Sequence, residues 1–491
     1  MLELTTPIPD RRAAETLRTI FDRVRFTEDS IDELLGDDAY TTGPVEALVH
    51  DRRLPHTRLG AVVRVCFLGL PVDANEAPNH FGDSLAALGL AETDGRTIRP
   101  RTRVAPIQGL YLASDPYSQG EDPRGYVATY TPTARTCDVL TPRPRVASAL
   151  DVGTGPGIHA LLAARHADRV VATDVNERAL AFTELNAALN GFDHVEVRNG
   201  SLFEPVEGET FDLITCNAPY VVSPDRRWAY RDSGFQADAL SESLVREGAA
   251  HLVDGGFAAL QVSWLAPDAS DETADDRVLA WVRDTGCDAW VLPTLAADPL
   301  THAAEWNAHL AHDVGAMDDA IERWTTYFDE LGVGLVSEGV VVLRRRDGAT
   351  PTVRIDPVDD DDLDDAGDQI VRAFETRARL ADLDGGAGIL DLHLSYVMTL
   401  KLLQELEPDD ETPAIVDVQV DLGEGTKHAV ETTYEALEVI ASLDSRLSLR
   451  EVIDDAADNL ELDDGERTRL RRDAVDVARE LLELGALQLE S

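Results

Sequence analysis

Residues 146–174 constrain the fold more than any other stretch of the chain. Val146 to Val152 is a short apolar run, Gly153, Gly155 and Gly157 follow at alternate positions, and Ile158 to Ala164 resumes apolar spacing. An apolar run ending in glycines predicts a buried parallel strand, and the spacing after it predicts a helix. The glycines therefore sit at a strand-to-helix turn, where Gly153 and Gly155 permit positive φ and close approach to the backbone. A second apolar run, Arg169 to Thr173, ends in Asp174, 21 residues after Gly153. Strand, glycine turn, helix, strand and acid is the order of a nucleoside pocket in an open α/β sheet, with the carboxylate placed to accept from both ribose hydroxyls. A dinucleotide fold shares that order, but its fingerprint needs a third glycine where this chain has Ile158.

Asp151, Gly153, Thr154, Gly155 and Gly157 in this context resemble the class I S-adenosylmethionine-dependent methyltransferases. The resemblance implies a Rossmann-like seven-stranded sheet with helices on both faces, and S-adenosyl-L-methionine as cofactor. That molecule has no pyrophosphate to cradle, so an acid at Asp151 is welcome. It can face the methionine ammonium directly or through water, while N–H groups at the helix start suit the carboxylate.

A second motif narrows the chemistry. Phe211 to Cys216 reads as the fourth strand and ends in Asn217, Ala218, Pro219 and Tyr220. This is similar to the Asn-Pro-Pro-Tyr signature of amino-methyltransferases, a group that includes HemK-type protein glutamine methyltransferases, adenine N6 enzymes and some guanine N2 enzymes. All methylate a planar nitrogen whose lone pair is delocalised. The Asn217 side-chain oxygen and the next backbone carbonyl can accept its two N–H bonds and aim the lone pair at the methyl, while Tyr220 stacks on the planar group. Ala218 departs from the pattern: the accepting carbonyl remains, but the rigid turn of a first proline is lost. Without the motif's position after a fourth strand, the tetrapeptide would read as a plain turn.

Between the motifs, Glu196 to Arg198 reads as a third strand, and the loop after it places Ser201 and Leu202 in the cofactor-binding set. Relatives carry an acid at the Ser201 position for the adenine amino group. Ser201 can accept one such bond, or it only opens the loop. Phe257 to Trp264, Ala289 to Leu292 and Gly332 to Leu343 supply strands five to seven. Tyr130 to Arg143 is expected to pack over the cofactor, with Thr131, Pro132 and Thr133 in a lid. Downstream of the tetrapeptide, Ser223, Arg226, Arg227, Tyr230 and Arg231 form a loop in which Arg226, Tyr230 and Arg231 are the substrate-binding candidates, because loops at a rigid sheet's edge carry specificity.

Composition bounds the rest. No apolar run reaches membrane-spanning length and no basic start precedes an apolar stretch, so a cytoplasmic protein with no membrane partner is expected. The four cysteines lack paired spacing and the 12 histidines lack metal-ligand spacing, so no metal and no disulfide framework are expected. The net charge is −48, and Lys401 and Lys427 are the only lysines among 44 basic residues. Arginine and aspartate in excess with almost no lysine point to a GC-rich genome and a salt-adapted, acidic proteome. In such salt the Debye length falls to about 3 Å at 1 M, so the global charge says little about partners.

Four segments are expected: an N-terminal helical, winged-helix-like domain over 1–125, the methyltransferase domain over 126–346, an acidic linker over 347–368 containing six aspartates in Asp359 to Asp365, and a C-terminal α+β domain over 369–491. In the first, Arg96, Arg99, Arg101 and Arg103 follow an Asp94-Gly95 turn and could grip RNA or an acidic partner. The sequence thus reads as an N-methyltransferase acting on a planar nitrogen, with a protein substrate, possibly a translation factor, presenting a glutamine side chain. The alternatives are an RNA or DNA base methyltransferase, with Tyr220 stacking on a flipped base, and an inactive cofactor-binding interaction protein.

Overall fold

The computed structural model describes every residue except 1–3, 37–38, 41–43, 117–124, 226–235, 269–273, 382, 384–387, 408–413 and 491. The chain forms two compact units. The first comprises residues 1–137, 145–285 and 295–341, and the second 138–144, 286–294 and 342–491.

The first unit is built on a sheet whose strands we number β1 (Val146–Val152), β2 (Ala167–Asp174), β3 (Val195–Asn199), β4 (Phe211–Cys216) and β5 (Leu252–Ala266). Their order is β5-β4-β1-β2-β3, and every one of these neighbours pairs in parallel. Parallel strands need crossovers on the faces, and the sequence supplies them: α1 (Ile158–Ala163) between β1 and β2, α2 (Glu177–Asn190) between β2 and β3, and α3 (Ala239–Ala250) between β4 and β5. The register brings Val152 beside both Thr173 and Cys216, and Asp174 beside Asn199. The carboxyl ends of four strands therefore meet at one edge. The strand Leu335–Arg345 lies beyond β5 in the order. The expected sixth strand forms as Cys287–Ala297, and within the second unit its Ala289–Val291 pairs with Val353–Ile355, a strand that was not expected.

The segment before the sheet is helical at first, with Arg11–Val24, Glu28–Leu35, Pro44–Arg53, Arg58–Val62 and Phe81–Ala87. A three-stranded antiparallel sheet (Val72–Asp73, Ala91–Thr93, Thr97–Pro100) and a hairpin (Arg103–Ile107, Leu110–Ser114) complete it. It has no core of its own: Leu17, Phe21 and Phe26 belong to the same buried cluster as Leu161, Phe182 and Leu185 of α1 and α2. Polar bonds reinforce the union. Asn186 of α2 donates to the Ala113 carbonyl at 2.9 Å and accepts from the Ala113 N–H at 2.8 Å, pairing with the hairpin as a strand would. Arg178 makes a bidentate pair with Asp115 at 2.8 and 2.9 Å.

Three of the four arginines around the Asp94 turn have an acid or an aromatic ring beside them, while Arg96 is exposed. Arg99 pairs with Asp94 at 3.3 Å, Arg101 pairs with Glu92, and Arg103 is 4% exposed with its guanidinium 4.4 Å above the Phe67 ring. Neighbouring acids and an aromatic face take up charge that would otherwise meet a polyanion.

In the second unit, helices Gly367–Ala381, Tyr434–Ala441, Leu449–Asn459 and Asp464–Glu483 pack beside an antiparallel three-stranded sheet. The capping box expected at Ser448 and Glu451 is present. Arg377 lies 4.1 Å above the Trp290 ring, and burial lowers its pKa to about 9. All four cysteines are buried and none is in a disulfide. No helix among the described residues is long and apolar enough to cross a membrane.

Because Phe21 is fully buried in the shared cluster, Phe21→Ala should destabilise the first unit by about 3–5 kcal/mol. In a denaturant titration of the full chain, tryptophan fluorescence and ligand binding should lose stability together; loss confined to the N-terminal helices would show that the cluster is two cores.

Candidate functional site

The glycine turn is organised by a buried carboxylate. Asp151 is 1% exposed, and its Oδ2 accepts the Thr154 hydroxyl at 2.7 Å and the Ala160 N–H at 3.1 Å, while Oδ1 accepts the Thr215 hydroxyl at 3.0 Å. It thereby ties the turn, the first turn of α1 and strand β4 to one point. Burial raises its pKa, and the three donors oppose that rise. Its oxygens are turned inward onto these protein donors because the carboxylate lies beneath the loop, in the interior.

The turn takes positive φ at Gly153 (68°), Gly155 (56°) and Gly157 (93°). A Cβ on Gly153 would stand 3.1 Å from the Ala218 Cβ, and one on Gly157 would stand 2.9 Å from Thr183. Both contacts, with the positive φ, favour glycine, and the first shows that the turn lies directly against the tetrapeptide. Beside Gly155 there is open space. Thr154, 4% exposed, closes the turn with its N–H on the Thr173 carbonyl at 2.9 Å.

Asp174 joins the turn from the end of β2. Its Oδ2 accepts the Gly155 N–H at 3.0 Å and its Oδ1 the Asn176 N–H at 2.8 Å. Each oxygen keeps a lone pair for a further donor. Burial raises its pKa, and these N–H bonds oppose the rise. The Ser201 loop reaches the same strand end: the Gly200 N–H donates to the Asp174 carbonyl at 3.1 Å, and the Thr173 hydroxyl to the Leu202 carbonyl at 3.2 Å. Leu202 holds φ at 48°, an uncommon conformation for a non-glycine residue. Ser201 and Leu202 are both partly exposed.

Asn217 follows β4 at the same edge. It is partly exposed, and among the described residues no hydrogen bond engages its side chain. Ala218 is 3% exposed beneath Gly153, and Pro219 is partly exposed. Tyr220 differs from expectation. It is 5% exposed and packs with Val221, Val222, Trp324 and Phe328, its ring edge-on to Trp306. Its ring faces the interior because that apolar cluster covers it, so it lines the site as a wall and is not an open stacking face. Its hydroxyl is buried and, among the described residues, meets no partner in good hydrogen-bond geometry, though Gln261, Thr133 and Glu338 lie near, and burial raises its pKa well above the usual value.

The sequence missed several residues here. Thr183 donates to the Gly155 carbonyl at 3.0 Å and Asn186 to the Pro156 carbonyl at 2.8 Å, holding the turn from α2. Behind Tyr220, Glu338 accepts the Trp306 indole N–H at 2.9 Å and stands 3.5 Å from His302 Nδ1. Glu338 is the sole acid in the apolar run Leu335 to Leu343, and that anomaly was the available signal. Thr131 caps the helix Pro132–Val139, its hydroxyl accepting the Ala134 N–H at 3.2 Å. Arg226, Tyr230 and Arg231 lie outside the described residues.

Residues 137–262 match the family model described as "Methyltransferase small domain". This stretch is a methyltransferase small domain. Among curated relatives, it is 36% identical over 127 residues to a release factor glutamine methyltransferase of Xylella fastidiosa, an overlap of 23% of this chain and 46% of that one. It is 32% identical over 133 residues to a protein of the same name from Aliivibrio fischeri (24% and 46%), and 41% identical over 71 residues to a ribosomal protein L11 methyltransferase of Lactobacillus johnsonii (14% and 22%). The chain thus spans about half the length of the release factor methyltransferases it matches, or less. Among solved structures, a methyltransferase from Pyrococcus furiosus aligns with TM-score 0.28 at 20% identity, over 49% of this chain and 91% of that one.

The Tyr220 hydroxyl gives a direct test of the wall. An unpartnered buried hydroxyl costs about 1–3 kcal/mol, so Tyr220→Phe should leave stability unchanged or raise it by about 1 kcal/mol in chemical denaturation. A loss of more than that would show that the hydroxyl has a partner.

Proposed function

We propose that this protein transfers a methyl group from S-adenosyl-L-methionine to a planar amide or amino nitrogen, with the glutamine side chain of a protein as its acceptor. The observation that carries this reading is the juxtaposition of Asn217, its side chain uncommitted at the end of β4, with the Gly153 turn and Asp174 at the same sheet edge. The small-domain match over the same residues, and the names of the relatives, support it.

The residues suit the cofactor. Open space at Gly155, free acceptor capacity on Asp174 for ribose hydroxyls, and Ser201 and Leu202 beside that strand end form a nucleoside cradle. When bound, the cofactor supplies a sulfonium methyl to which the acceptor nitrogen forms a bond as the carbon–sulfur bond breaks. The protein's contribution is orientation. The Asn217 oxygen and the Ala218 carbonyl accept the two N–H bonds of the acceptor, which localises its lone pair and stabilises the positive charge developing on nitrogen. Loss of one N–H proton then leaves the neutral N-methyl product. Buried Ala218 and Tyr220 fix the loop that carries both acceptors. Pairing of Arg99 and Arg101 with acids removes the support that the arginine-rich turn lent to a nucleic-acid substrate.

Asn217→Ala should lower turnover by at least about 100-fold while cofactor affinity stays within about twofold, since its contact is to the acceptor. Asp174→Ala should weaken the cofactor itself by about tenfold or more, read by calorimetry. Radiolabelled methyl transfer into an extract of a strain lacking the protein, fractionated into protein, RNA, DNA and small molecules, checks the acceptor. Label in protein, located on glutamine by mass spectrometry, is the expected result; label in nucleic acid, or full activity of Asn217→Ala, would overturn the proposal.

A further inference from the structure

In the second unit, strands β6 (Leu400–Glu407), β7 (Ala414–Leu422) and β8 (Ala429–Glu431) form an antiparallel sheet in the order β6-β7-β8. β7 is the central strand, with Val418, Val420 and Leu422 buried. β6 is an edge of eight residues, and among the described residues no strand pairs with its outer side. Its N–H and C=O groups on that side form a row ready to bond another strand. Its side chains are open as well: Lys401, Gln404 and Glu405 are exposed, and Leu402 and Leu403 are 40% and 41% exposed. Its pairing with β7 is regular from Leu400 to Glu405 and shifts register between Glu405 and Leu406, and an edge with exposed leucines over that regular stretch is the kind that proteins ordinarily cover.

The order of side chains indicates the occupant. Lys401, Leu403 and Glu405 point to one face of the strand, since side chains alternate. When such a strand pairs antiparallel with its own copy about a two-fold axis through Leu403, positions equidistant from Leu403 face one another. Leu403 then meets Leu403, and Lys401 meets Glu405 on both sides of the axis. Lys401 is one of only two lysines in a chain of net charge −48; its register partner on β7 is Asp421, and among the described residues no carboxylate comes within ion-pair distance of it. The other, Lys427, is paired with Asp362 and Asp364 at 3.2 and 3.1 Å. A positive charge, an apolar residue and a negative charge at alternate positions are complementary to the same pattern run in reverse, which is the requirement of an isologous contact.

We propose that β6 is a self-association edge, pairing antiparallel with β6 of a second copy of this chain to join two three-stranded sheets into one. The leucines at the axis exclude water from the centre, and the flanking Lys401–Glu405 pairs set the register.

Analytical ultracentrifugation of the full chain over a concentration series, at one fixed salt concentration, tests this. The expected result is a concentration-dependent species of twice 53.5 kDa. Lys401→Glu, which turns two attractive cross-strand pairs into two repulsive ones, should raise the dissociation constant by about tenfold or more. Leu403→Glu, which sets two carboxylates face to face on the axis, should do the same. The double variant Lys401→Glu with Glu405→Lys restores opposite charges across the axis and should recover the dimer, which a folding defect would not. A monomer at all concentrations, or a dimer unmoved by Lys401→Glu and Leu403→Glu, would overturn the proposal.

Discussion

The Asp151 carboxylate, buried beneath the glycine turn, is the interaction on which the site depends. A carboxylate in the interior is costly unless its oxygens are met by donors, and here a threonine of the turn, the first turn of α1 and a threonine of β4 meet them. The three donors come from the three elements that must hold their relative positions if the turn is to face Asn217. Thr215 lies two residues before Asn217, so the bond to it carries the constraint from the glycine turn to the tetrapeptide. Thr183 and Asn186 of α2 hold the same turn from the opposite direction. A mobile glycine loop is thereby made rigid without bulky side chains that would fill the cradle.

The second organising fact is that the N-terminal segment is part of the catalytic unit's core. α2 faces the sheet on one side and the helix Arg11–Val24 and the hairpin on the other, so both of its faces are apolar and its outward asparagines and Arg178 are bonded to the hairpin segment. A helix buried all round shows little amphipathic contrast, and Ala179 to Leu189 reads so in the sequence. The large acidic excess is handled differently. Arginines with acid neighbours recur along the surface, as at Arg169 with Glu196 and Glu209, and each such exposed pair is worth little alone. Their effect is to leave few cations uncompensated, as with Arg99 and Arg101 near Asp94, and Lys401 stands apart.

How much of this was legible from residues alone differs from element to element. Strands 146–152, 169–173 and 211–216, the helix after the glycines and the positive φ of Gly153 and Gly155 followed from local pattern, because period, apolarity and glycine are local properties. So did the placement of Asp174 and Asn217 at one edge, because parallel strands with crossover helices put all carboxyl ends on the same side. The orientation of Asp151 and Tyr220 was not legible. Both stand next to residues that do face the site, and only the packing around them, three donors in one case and the Trp306 and Phe328 cluster in the other, turns them inward.

The sequence alone determined the chemistry on offer: glycines that admit a ligand, an acid at the end of the second strand, and an asparagine at the end of the fourth. Those depend on residue type and on spacing along one strand. Tertiary structure decided which of these groups remain available, because availability depends on neighbours far away in the chain. Asn186 reaches Ala113 across 73 residues and Thr215 reaches Asp151 across 64. A carboxylate met by such donors becomes scaffold, while the Asn217 side chain, left without them among the described residues, stays available at the sheet edge.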